Sequence, residues 1–214
     1  MKDLAIYGAG GLGREVACLI RRINEEHPTW NFIGYFDDNP AVSDSVNEYG
    51  RVLGNIGTIN NWPSEIDVAI AIGSPLSVKE IVDKIVNPHV SFPNLISPDV
   101  SFADRQSVIM GKGNIVQRQC TLSCNIIFGD FNILNTGVGV GHDVRINSYN
   151  SFMPAVKISG GVEIGCYNFF GVLSSVIQQI KIGDNIKLAA GSSLIRKPKD
   201  NELYIGVPAK IFKY

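Results

Sequence analysis

From residue 110 onward an apolar side chain returns at every sixth position. The series runs Met110, Val116, Leu122, Phe128, Leu134, Val140, Ile146, Phe152, Ile158, Ile164, Phe170, Val176, Ile182, Leu188 and Leu194 without a slip. A longer period lies over it. Asn114, Asn132, Asn150 and Asn168 recur every eighteen residues, as do Gly111, Gly129, Gly165 and Gly183, with Asn147 filling the one gap. Six nested in eighteen predicts three short flat sides per turn, a parallel β-helix of hexapeptide repeats. About five turns at the inter-strand spacing of ~4.8 Å give a prism about 24 Å tall. Each side is too short to bury a face alone, so it stacks on the same side of the next turn and points its aliphatic residue inward. The inward asparagines are expected to form a ladder of side-chain amides. Glycine and asparagine are expected where a sharp corner needs a positive φ. Ordinary strands of a β-sandwich would need fifteen coincidences of spacing.

The first hundred residues carry a different rhythm. Asp3 to Tyr7 reads as a strand, Gly8-Ala9-Gly10-Gly11-Leu12-Gly13 as a turn, and Arg14 to Asn24 as a helix with Val16, Ala17, Leu19, Ile20 and Ile23 on one face. Phe32 to Phe36 and Asp67 to Ile72 read as strands, and Leu76 to Val86 as a helix. Residues 41–64 are polar and rich in glycine and asparagine, with a short strand at Arg51 to Leu53. A last strand falls around Val90 to Phe92, between Pro88 and Pro93. The alternation of β and α resembles half of a nucleotide-binding Rossmann fold. Pro98 marks the passage to the all-β part, which gives domains 1–97 and 98–214, the second ending in an extension after Leu194.

Composition changes this picture little. The 214 residues are 45% hydrophobic and 18% charged, enough for a sizeable core. A net charge of −1 points to neither nucleic acid nor an anionic membrane. The start, MKDLAIYGAG, is a strand and turn rather than a leader, and no run approaches eighteen apolar residues, so no membrane span is expected. Cys18, Cys120, Cys124 and Cys166 have no metal-ligand spacing. They read as reduced thiols filling small core spaces, and the setting as cytoplasmic, with no metal.

Two features carry candidate chemistry. The glycine loop fits GxGxxG between a strand and a helix, with Asp37 at the end of the next strand. A dinucleotide, a mononucleotide or other phosphorylated ligand, or a loop needed only for packing all remain open. A dinucleotide is opposed by the domain's size and by the lack of a second α/β domain. His142 falls two residues after inward Val140 and two before inward Val144, near a corner, so it points outward with Asp143 beside it. A histidine with a neighbouring acid suits general base chemistry near neutral pH, and an exposed histidine at a turn is the other reading.

Along its whole length the chain resembles the bacterial sugar O-acyltransferases of the sialic acid O-acetyltransferase type and their relatives, the nucleotide-sugar N-acetyltransferases. The resemblance is carried by IYGAGGLGRE, GYFDDNP, FPNLISP, ILNTGVGVGHDVRI and IGVPAK. It implies an α/β, Rossmann-like N-terminal half domain followed by a left-handed parallel β-helix of hexapeptide repeats, assembled as a homotrimer with acetyl-CoA in the groove between neighbouring prisms. It implies direct acetyl transfer to an amine or hydroxyl of a sugar or nucleotide-activated sugar in surface glycan synthesis. His142 would be the general base, Asp143 would orient it, Asn135 would lie beside the acceptor, and a backbone amide would stabilise the oxyanion. Ala9, Gly10, Gly11 and Leu12, with Asp37 and Asp38, would hold the nucleotide or anionic part of the acceptor. Ser151, Gly160, Val172 and Ala190 would follow the pantetheine arm, with Lys197 and Lys210 at the phosphates of coenzyme A.

The chain departs from that pattern at Leu12, Ser97 and Ser151, where many or some nucleotide-sugar acetyltransferases carry histidine. Leu12 removes a polar group near the acceptor. UDP-4-amino sugars and sialic acids are the two leading acceptors. A serine-type acceptor, a nicotinamide-linked oxidoreductase and a non-catalytic trimeric scaffold that senses a nucleotide are the rival readings.

Overall fold

The computed structural model describes residues 1–43 and 45–213. It divides into two compact units, Met1–Pro98 and Asp99–Tyr214.

The first unit is a six-stranded sheet flanked by helices. In chain order it contains β1 (Lys2–Tyr7), α1 (Gly11–Glu26), β2 (Trp30–Phe36), β3 (Val46–Asn47), β4 (Gly50–Gly54), α2 (Ile56–Asn60), β5 (Ile66–Ile70), α3 (Pro75–Lys84) and β6 (Val90–Ser91). The sheet order is β3-β4-β2-β1-β5-β6, parallel except for the β3–β4 pair. The chain builds outward from β1 in both directions, so the glycine loop after β1 sits where the strand order reverses, the usual ligand crevice of such sheets. α1 buries Val16, Ala17, Leu19, Ile20 and Ile23, the face expected from their spacing. It ends before Pro28, which disfavours helical φ and ψ at His27. α3 begins with Pro75 in its first turn, where a missing N–H costs nothing.

Two elements of this unit, β3 and α2, were not expected from the sequence. The polar stretch 41–64 contains α2, whose start is closed by a capping box. Asn55 Oδ1 accepts from the N–H groups of Gly57 and Thr58, and Thr58 Oγ1 accepts from Asn55 N–H. The usual sequence signal is a Glu or Gln at the fourth position of the box, and threonine hides it.

The second unit is a parallel β-helix. Its strands, mostly two residues long, stack eighteen residues apart, as in Leu122↔Val140, Val140↔Ile158, Ile158↔Val176 and Val176↔Leu194 on one side. Every member of the sixfold apolar series is buried except half-buried Met110. Phe152 and Phe170 stack inside, with ring centroids 4.8 Å apart and planes within 2°. The asparagine ladder is present. Asn114, Asn132 and Asn150 each accept, through Oδ1, the backbone N–H and the side-chain N–H of the asparagine one coil on, at 2.9–3.1 Å.

The corners need a correction. Positive φ falls at every sixth residue from Gly113 to Gly191, through Gln119, Asn125, Phe131, Gly137, Asp143, Tyr149, Ala155, Gly161, Tyr167, Leu173, Gln179 and Asn185. The register lies three residues after the inward aliphatic, and most of its members are neither glycine nor asparagine. Coil stacking therefore imposes the left-handed conformation on ordinary side chains against their local preference. The eighteen-residue glycines serve close approach instead. A Cβ at Gly111 would collide with Asp130 Oδ1, and one at Gly129 would lie 2.6 Å from Ser148 Oγ.

Candidate active site

His142 follows the strand Gly139–Val140 and lies in the corner leading to Arg145–Ile146. It is exposed, as the spacing required. Asp143 takes the positive-φ corner position, φ 59°, and its N–H donates to Cys124 O one coil below. That fixes the carboxylate beside the ring, with His142 Nδ1 2.8 Å from Asp143 Oδ2. The other carboxylate oxygen accepts from Asn125 Nδ2 at 3.1 Å, and Asn125 N–H donates to Ser107 Oγ at 2.9 Å. The hydrogen bond to His142, and then that to Asn125, hold the Asp143 carboxyl below the usual carboxylate range. A carboxylate on Nδ1 favours the tautomer with its proton there and leaves Nε2 as the basic nitrogen.

The ring lies over Gly160. A Cβ on that residue would stand 2.6 Å from both Nε2 and Cε1, so only glycine leaves the imidazole its place. The cleft beside it, about 440 Å³, is lined by His142, Asp143, Gly160, Gly161, Gln178 and Gln179. The N–H of Gly160 donates to no group among the described residues. Space next to it is kept by Gly141, whose Cβ would come within 2.7 Å of that nitrogen.

Not every expected residue gathers here. Asn135 occupies the corner before the Gly139–Val140 strand, where its Oδ1 accepts from Thr136 N–H at 2.7 Å. Val172 and Ala190 are exposed on that same edge of the prism, one coil apart. Ser151 is buried in register with Ile133 and Phe169. Lys197 and Lys210 are exposed, Lys197 between the stacked strands Ser193–Leu194 and Leu203–Gly206 and Lys210 in the hairpin strand Ala209–Ile211. Of the residues assigned to the acyl donor, only Gly160 lines the His142 cleft.

In the first unit Gly10 and Gly11 are exposed and Leu12 is half-buried, at the start of α1, where backbone N–H groups face outward. Ala9 N–H is already taken by Asp37 Oδ2 at 2.8 Å, while Asp37 Oδ1 accepts from Asn39 N–H. Asp37 thus pins the loop to the end of β2. Asp38 Oδ1 accepts the Ile56 N–H that opens α2. Beneath them the Tyr7 hydroxyl is pushed well above its ordinary pKa, first by burial and then by Asp38.

Asn125, Ser107, Gly161, Gln178 and Gln179 were not singled out from the sequence. The signal was available in the eighteen-residue register, since 107, 125 and 143 form one column and 142, 160 and 178 the next. Among the described residues no group of three or more His, Cys, Asp or Glu is placed to hold a metal ion, and no helix is long and apolar enough to cross a membrane.

Comparison with known proteins agrees with this architecture. Residues 3–85 match the family model of the PglD N-terminal domain. No curated protein sequence matches the chain. Among solved structures, the acetyltransferase domain of PglB from Neisseria gonorrhoeae FA1090 in complex with acetyl coenzyme A is 26% identical. It superposes with a TM-score of 0.88, with 99% of each chain covered. A mutant of perosamine N-acetyltransferase from Caulobacter crescentus, in complex with CoA and GDP-perosamine, is 26% identical with a TM-score of 0.85, covering 100% of this chain and 98% of that one. WeeI from Acinetobacter baumannii AYE, 23% identical, shares the fold with a TM-score of 0.88, covering 99% of this chain and 100% of that one. The chain thus joins a segment that matches the PglD N-terminal domain model to a left-handed β-helix, and is similar from end to end to solved nucleotide-sugar acetyltransferases.

Proposed function

We propose that this protein transfers an acetyl group from acetyl-CoA to the amino group of a nucleotide-activated sugar, with His142 as general base. The observation that carries the reading is the His142–Asp143 pair over Gly160, in a chain similar throughout to solved acetyltransferases. An amine acceptor is favoured over a hydroxyl because the perosamine N-acetyltransferase was solved with CoA and GDP-perosamine.

In this reading the acceptor amine attacks the thioester carbonyl directly. The C–N bond forms, Nε2 of His142 takes the departing amine proton, and the C–S bond breaks. The proton on the imidazole then goes to the leaving thiolate, so CoA leaves as the free thiol. Asp143 stabilises the imidazolium in between. The unpaired Gly160 N–H is the donor this site offers to the oxyanion. The amides of Gly10 to Leu12 take the acceptor's phosphates, and Leu12 presents an apolar side chain there. The working form is a homotrimer.

The test is free CoA release from acetyl-CoA across UDP- and GDP-linked 4-amino sugars, sialic acids and serine. Release with an amino sugar, and a mass gain of one acetyl group on it, is expected. Release only with sialic acid or serine would replace the acceptor class, and no binding of acetyl-CoA at all would sink the acyltransferase reading.

A further inference from the structure

The cleft has a far wall that the chemistry above does not use. His142, Gly160 and Gln178 each stand two residues after Val140, Ile158 and Val176, which pair in register, so the three form one column on successive coils. At ~4.8 Å per coil the chain segments carrying His142 and Gln178 are roughly 10 Å apart. The one coil between them presents Gly160 and Gly161, with no side chains. The result is a slot with an imidazole on one side and a carboxamide on the other.

Gln178 is exposed and makes no hydrogen bond among the described residues. Its neighbour lies in a different column. Gln179 sits at a positive-φ corner, in the column of Asp143, and its Cγ packs 3.3 Å from where a Gly161 Cβ would be. A free carboxamide offers both a donor and an acceptor, which is what a secondary amide needs on its two faces.

Acyl-coenzyme A has such an amide close to its reacting atom. The cysteamine amide nitrogen is separated from the thioester carbonyl carbon by four bonds, on the order of 5 Å. That is about one coil of this prism. A group that grips the amide therefore sets where the carbonyl stands.

We propose that Gln178 is a positioning residue for the acyl donor, its carboxamide binding the cysteamine amide so that the thioester carbonyl lies over Gly160 beside His142 Nε2. The proposal rests on the acyltransferase reading above. It gives the slot a selectivity that His142 alone does not provide, favouring thioesters that carry an amide two methylenes from sulfur.

The experiment compares wild type with Gln178→Ala, using the acceptor that supports turnover with acetyl-CoA. Two small donors are supplied, S-acetyl-N-acetylcysteamine, which has the amide, and S-butyl thioacetate, which lacks it. Wild type is expected to favour the amide-bearing donor by about tenfold in kcat/KM, the worth of one neutral hydrogen bond. Gln178→Ala is expected to lose that preference while leaving the rate with S-butyl thioacetate within about twofold. Gln178→Glu, which keeps an acceptor for the amide N–H and loses the donor, is expected to fall between. Equal loss on both donors, or no loss on either, would overturn the role of Gln178 and leave the acyltransferase reading standing. If wild type neither binds acetyl-CoA nor releases CoA from it with any acceptor, that reading falls and takes this proposal with it.

Discussion

At the scale of single residues, the site depends on two neighbours of one imidazole. Asp143 fixes its orientation, and Gly160 leaves it room. The Asp143 carboxyl is lowered in the folded protein, so its contribution is present above the ordinary carboxylate range and is lost only as pH falls through the lowered value. At mildly acidic pH Asp143 is therefore still charged. Asp143→Asn removes the counter-charge of the imidazolium. We expect it to slow transfer, measured as CoA release, by less than the roughly 10²–10⁴-fold loss of a missing base. Gly160→Ala tests the room. Its φ is ordinary and the clash is with a side-chain ring, so the ring yields rather than the backbone. Transfer is expected to fall steeply while the thermal midpoint stays within a few degrees of wild type, as measured by differential scanning fluorimetry. The outward placement of His142 and Asp143 was legible because the inward register forces both outward at a corner. Asn125 and Ser107 were not, because their role exists only when coils eighteen residues apart lie side by side.

At the scale of elements, the β-helix is a device for making local preferences irrelevant. Phe131, Tyr149 and Tyr167 hold positive φ at one edge and stack with centroids 5.4 and 5.5 Å apart. No propensity argument would place aromatic residues there. The sixfold aliphatic series was readable from the sequence because it reports burial, which every coil must satisfy in the same way. The corner register was not, because its members share a backbone conformation and no chemistry. The asparagine ladder was readable for the opposite reason: a buried amide is costly unless paired, so recurrence at eighteen implies the pairing. Asn150 accepts the Asn168 backbone N–H at 2.9 Å and donates to Gly165 O at 2.9 Å. Asn150→Ala leaves the buried Asn168 N–H and the half-buried Gly165 carbonyl without those partners, and a loss of about 1–3 kcal/mol is expected in urea unfolding. An unchanged midpoint would show that the ladder is decorative.

At the scale of the whole molecule, the chain carries a six-stranded α/β unit and a β-helix in succession. The strand, glycine loop and helix of the first unit were legible from glycine spacing and the apolar face of α1. The engagement of Asp37 with Ala9 N–H was not, because it needs β1 and β2 side by side. Sedimentation equilibrium is expected to return the mass of three chains. A monomer with full activity would contradict the trimeric form. The measurement that bears most directly on the central claim is acetyl transfer by His142→Ala, with saturating acetyl-CoA and the amino-sugar acceptor. If His142 is the base, the rate should fall by about 10²–10⁴-fold, with acetyl-CoA binding retained. Transfer within a few fold of wild type would mean that the reaction does not pass through His142.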